Sequence, residues 1–310
     1  MKSRRAFTLV ELIVVIGILG ILMGVLLISF GGGSASARAA RCLSNMKNLA
    51  NAAQTYGMQS WYYPLAGNLV YMVIAEQGAG RRPERKYYET PGWISANSMD
   101  MFPSASYSKP EVISMYTDND DEAWYALTNG VLWKYVSGSS DAYVCPEHKK
   151  KMPNARWSYL MNAYFGFDQN DKPRANKDAD RRGFSSFANA EKRLLFSEVP
   201  FMGYNKWQPS GSGGTDDTDA ILQYGTSSDL PSASKGCAGK GASDEEIGVN
   251  HVSGRSAFAH VAFADGHVEK LRVPMNGKKP DTSGFAELTS WLCAGLDVSF
   301  DGKGYKYVNQ

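Results

Sequence analysis

The sequence predicts an α+β chain: one long N-terminal helix followed by a large head with antiparallel β-structure and long loops. Three observations carry that reading. Residues 7–30 hold a single ionisable side chain, Glu11, within an otherwise apolar run. From Ala37 to Tyr56, Cys42, Met46, Leu49, Ala53 and Tyr56 recur at spacings of three and four, the period of an amphipathic helix. Near the C-terminus, residues 256–264 and 267–273 flank Asp265-Gly266, a turn pair between two β-prone runs.

The apolar run is long enough to matter. As a helix rising 1.5 Å per residue it reaches about 36 Å, against a hydrocarbon core about 30 Å thick. Lys2, Arg4 and Arg5 all precede it, so the leader is expected in the cytoplasm and the rest of the chain across the membrane. A cleaved secretory signal is the competing reading, with Ala35 and Ala37 as an A-x-A site. Its apolar region would be shorter, about 7–15 residues. A plain anchor is the other. Neither accounts for Glu11, because a carboxylate at membrane depth costs about 2–3 kcal/mol and marks a functional position.

The stretch Arg5-Ala6-Phe7-Thr8-Leu9-Val10-Glu11, followed by the apolar run, resembles the signal of type IV pilins and type II secretion pseudopilins. The resemblance implies cleavage by a prepilin peptidase between Ala6 and Phe7 and methylation of the new amino terminus on Phe7. Ala6 stands where the family usually has glycine. Glu11 becomes the fifth mature residue, where the family carries glutamate. In a fibre of packed helices its carboxylate would pair with the Phe7 amine of a neighbouring subunit and fix axial register. The fold implied is pilin-like: residues 1–6 a cleaved leader, 7–56 the helix (7–30 transmembrane, 37–56 amphipathic and packed on the sheet), and 57–310 an exported head. The implied partners are the peptidase, other pilin or pseudopilin subunits and the inner membrane. The implied location is that membrane, crossed once, with the head in the periplasm or on the cell surface.

Composition excludes several classes. Net charge is +2 with acidic and basic residues interleaved, so no nucleic-acid footprint exists. The four cysteines, Cys42, Cys145, Cys237 and Cys293, contain no C-x-x-C pair. In an exported domain an even count reads as disulfides, and Cys42 with Cys145 is the expected pair, tying the helix to the head. No G-x-S-x-G is present and no enzyme is expected.

Further along, Gly31-Gly32-Gly33 predicts a softened or kinked helix, since glycine costs about 1 kcal/mol against alanine. Trp61, Tyr62, Tyr63, Tyr87, Tyr88 and Trp93 lie in irregular sequence. They either close a core or, in an exported, membrane-anchored binding module, would bind glycans. Residues 69–74 form a strand or a short helix. Acidic runs at 118–122 and 216–219 read as solvated loops. Ala123 and Asn129 stand where a calcium loop needs glycine and bidentate glutamate. Residues 205–248 are rich in Gly, Ser and Asp and predict long surface loops.

Short stretches, "GVLWKYV", "YVCP", "SYLMN", "LLFSE" and "VAFADGHV", are similar to large-headed pilin-like proteins with a processing-associated motif of histidine, nine residues, then Asp-Gly. His251, Asp265 and Gly266 take those places here, with four extra residues between. A two-residue turn at 265–266 would put His260 and His267 on one face about 13 Å apart, too far to share an ion. The expectation is therefore no metal and no cofactor.

Overall fold

A computed structural model describes residues 9–66, 69–75, 84–95, 118–162, 165, 183–184, 189–199, 221–222, 247–253, 256–277 and 279–308. Helix α1, Leu9–Ser60, spans 52 residues, about 78 Å. It continues through Gly31-Gly32-Gly33, where a kink was expected. Glycine lowers helix preference without forbidding it, and long helical segments on both sides propagate cooperatively. It also outlasts Tyr56, because Ser60 Oγ donates to the Tyr56 carbonyl at 2.8 Å and Trp61 N–H to that of Gly57 at 2.9 Å. Trp61 then turns to φ 65° and ends the helix.

The character of α1 changes along its length. Every side chain of residues 9–23 is exposed. Ala39, Cys42, Met46, Leu49, Ala50, Ala52 and Ala53 are buried. Among the described residues no helix is long and apolar enough to cross a membrane. Residues 9–23 alone reach about 22 Å.

After α1, β1 (Leu69–Ala75) pairs antiparallel with β2 (Glu84–Thr90), so the 69–74 stretch is a strand. Tyr63 and Trp93 are buried; Trp93 stacks on Tyr143 at 5.9 Å and meets Phe196 edge-on at 5.0 Å. The acidic run near 118 is a helix start, not a loop. Asn119 Oδ1 accepts from Asp121 N–H at 3.0 Å and caps α2 (Asp120–Asn129), whose first turn holds Asp120, Asp121 and Glu122. Negative charge there complements the helix dipole. The run at 216–219 and nearly all of 205–248 lie outside the described residues.

Cys145 precedes a short helix, α3 (Pro146–Lys151), with proline in its first turn. The main sheet comprises β3 (Tyr159–Asn162), β4 (Leu194–Glu198), β5 (Ile221–Leu222), β6 (His251–Ser253), β7 (Ser256–Phe263) and β8 (Val268–Val273). Its pairs are antiparallel except β3 with β5, which run parallel. Strand β8 lies along one edge of β7. On the other edge, β4 pairs with residues 261–263 and β6 with residues 256–258, end to end. Helix α1 packs against β4, β6, β7 and β8. Helix α4 (Phe285–Ala294) follows, closed by Gly295 in the left-handed region.

The β7–β8 connection differs from the expected two-residue type I′ turn. Gly266 N–H donates to the Phe263 carbonyl and Phe263 N–H to that of His267, both at 2.9 Å. The loop is therefore three residues, 264–266, with only Gly266 at positive φ (+91°), the type I turn plus glycine bulge. The register moves by one: His260 pairs with Lys270 and Val261 with Glu269. His260 and His267 consequently point to opposite faces, one buried and one partly exposed.

Candidate functional site

Two sites stand out, one at the start of α1 and one buried in the head. At the N-terminus, Glu11 sits in the first turn of α1 and is exposed among exposed apolar neighbours. Leu9 is 74% exposed and Ile21 70%. Ala6 and Phe7 lie outside the described residues.

The second site is buried where β4 and β6 meet along the edge of β7. Glu198 closes β4, His251 opens β6, and His260 lies on β7 opposite the junction. Cys42 reaches it from α1. The Oε1 atom of Glu198, a fully buried residue, accepts from Cys42 Sγ at 3.1 Å and from His260 N–H at 3.3 Å. It also lies 3.0 Å from His251 Nε2 and 2.9 Å from His260 Nδ1. Its Oε2 is buried with no hydrogen-bond partner among the described residues. Tyr159 OH is 3.4 Å from Cys42 Sγ, and Cys145 Sγ is 3.8 Å from His251 Nε2.

Electrostatics bind these groups. Burial alone would raise the Glu198 pKa, but the His251 charge and the hydrogen bonds from His251 and His260 hold it well below the usual carboxylate range. Burial opposes charge on His251, yet Glu198 and Cys145 push its pKa up to about 10. The Cys42 thiol is driven well above its ordinary value, first by burial and then by its neighbours. Burial acts the same way on Cys145, but its bonds to Cys42 and His251 bring it down to about 7.

Cys42 and Cys145 are thus brought together, as the sequence suggested, but both are free thiols rather than a disulfide. Each is engaged by the polar cluster. Cys42, Glu198, His251 and His260 offer four ligand atoms within 4.8 Å of one another. Counting histidines alone missed Cys42 and Glu198, and a turn one residue too short misplaced His260. The available signal was a glutamate ending the otherwise apolar strand Leu194-Leu195-Phe196-Ser197-Glu198.

The His251–Asp265–Gly266 set is not assembled into one site. His251 pairs with Phe258, five residues and about 16 Å along β7 from its end at Phe263, and Asp265 lies beyond that end in the turn. Asp265 instead accepts from the backbone N–H of His267 at 3.0 Å and shapes the turn, while Lys47 Nζ donates to the Gly266 carbonyl at 2.7 Å.

Residues 1–27 match the family model described as "Prokaryotic N-terminal methylation motif". No curated protein and no solved structure matches the chain. The motif indicates a structural, type IV pilin-like subunit and not an enzyme. It implies processing by prepilin peptidase and assembly with other pilin subunits.

Proposed function

We propose that the chain crosses the inner membrane through residues 7–30, with its leader in the cytoplasm and its head exported. It is cut between Ala6 and Phe7, methylated on Phe7, and assembled into a type IV pilus-like or type II secretion pseudopilus fibre. One observation carries this reading: on a single helix, residues 9–23 expose apolar side chains all round while Cys42, Met46, Leu49 and Ala53 are buried on the head. A helix apolar on every side calls for lipid or other helices around it. Lipid covers it before assembly and neighbouring subunits afterwards, where Glu11 meets the Phe7 amine of the next subunit. A membrane-anchored glycan-binding module is the second reading, favoured by Trp61, 73% exposed beside the core. A single exposed ring demands less than a fifteen-residue surface whose one charged side chain is Glu11.

Mass spectrometry of the mature protein tests the processing. Phe7 carrying a methyl group is the expected terminus. A terminus near Ala37 would mean ordinary signal cleavage and removes the fibre reading.

A further inference from the structure

We propose that Cys42, Glu198, His251 and His260 form a buried binding site for one divalent transition-metal ion of zinc type, pinning helix α1 to the seam between β4 and β6. The site stands apart from the N-terminal assembly motif and does not depend on it.

Geometry supplies the first argument. A tetrahedral zinc centre with bonds of about 2.0–2.3 Å needs ligand atoms about 3.3–3.8 Å apart. Here the four atoms already lie within 4.8 Å of one another, and three of them approach Glu198 Oε1 at 2.9–3.1 Å. Shifts of under about 1 Å convert the cluster into a coordination shell. Each ligand comes from a different element, α1, β4, β6 and β7, so the ion would join parts of the fold far apart in sequence.

Charge supplies the second. A Cys42 thiolate and the Glu198 carboxylate sum to two negative charges, and two neutral imidazoles add none. A divalent cation makes the assembly neutral, the state a fully buried site favours. Binding replaces the Cys42 thiol proton and the proton shared by Glu198 with the histidines.

The third argument is polar accounting. Without an ion, four donors crowd Oε1 while Oε2, equally buried, has no hydrogen-bond partner among the described residues. A cation drawing on the carboxylate relieves both the crowding and the shortage. Outer contacts are in place too: the Tyr159 hydroxyl beside Cys42 Sγ and the Cys145 thiol beside His251, groups of the kind that orient ligands. A groove of about 260 Å³ reaches the site between Ala35, Ala39 and Leu43 of α1 and Phe258 of β7, with His251 and His260 in its lining. The donor set selects the ion. Calcium and magnesium take oxygen ligands, whereas thiolate with imidazole suits zinc or cobalt.

The test uses the full chain purified in detergent under reducing conditions. Metal analysis should find about one zinc per chain, and chelated protein given cobalt(II) should show a thiolate-to-cobalt charge-transfer band. Cys42→Ser and His260→Gln should each lower retained zinc about tenfold or more, and Cys42→Ser should abolish the band. Wild-type chain that holds no stoichiometric metal and gives no band with cobalt overturns the site, whatever the variants do. A Cys42–Cys145 disulfide in protein isolated without reductant overturns it equally, because the thiolate is then consumed.

Discussion

Cys42 Sγ on α1 lies 3.1 Å from Oε1 of Glu198 at the end of β4, both fully buried. They are 156 residues apart in the chain. Helix and sheet are held together there by a carboxylate that also serves two histidines, so the seam depends on one ionised group.

Glu198→Gln should therefore destabilise the head strongly. The variant keeps the volume but removes the charge that His251 and His260 face. Breaking one partner out of a buried charged set typically costs about 3–5 kcal/mol. Denaturant unfolding of the metal-free chain measures it. A loss under about 1 kcal/mol would mean that the cluster contributes little to holding α1.

Glu11→Ala should leave membrane insertion intact, since it removes a charge from an apolar stretch. Fibre yield in cells lacking the wild-type subunit should fall to below about a tenth, because the partner amine loses its counter-charge. Immunoblots of membranes and sheared fibres report the two quantities separately. Normal fibres with Glu11→Ala would refute the pairing.

Gly266→Val should weaken the β7–β8 connection. Gly266 sits at φ +91°, and a Cβ there would lie 3.0 Å from Gln54 Cγ on α1. A branched residue held in that region costs about 1–3 kcal/mol, and Gln54 would have to yield as well. Thermal melting of the full chain should drop accordingly. An unchanged melt would show that the loop can take another conformation at no expense.

His148 should set an acid limit. It is fully buried on α3, and burial, aided by Lys151 and opposed by Glu198, lowers its pKa to about 4 from an ordinary 6.5. The unfolded chain then binds a proton between pH 6.5 and 4 that the folded chain refuses. Stability falls as pH drops through that window, by up to about tenfold in the folding constant per pH unit. Melting as a function of pH should show this slope in wild type and a shallower one in His148→Gln. Equal slopes in both would assign the acid loss to other groups.

The sequence alone determined the features that depend on near neighbours. The 7–30 apolar run with its lone Glu11, the burial of Cys42, Met46, Leu49 and Ala53 on one face of α1, and β-structure around Asp265-Gly266 all follow from composition and short-range period. Tertiary structure decided the rest, where the cause is distant in the chain. Whether the turn held two residues or three fixed the register, and with it the face on which His260 lies. Glu198 ends a core strand, and only the meeting of β6 with β4 along β7 places His251 beside it. Cys42 and Cys145 stand as free thiols, and whether they bond to each other depends on the buried carboxylate and imidazole that compete for them. Periodicity carries no information about such competition, because it is settled by which charges share a low-dielectric interior.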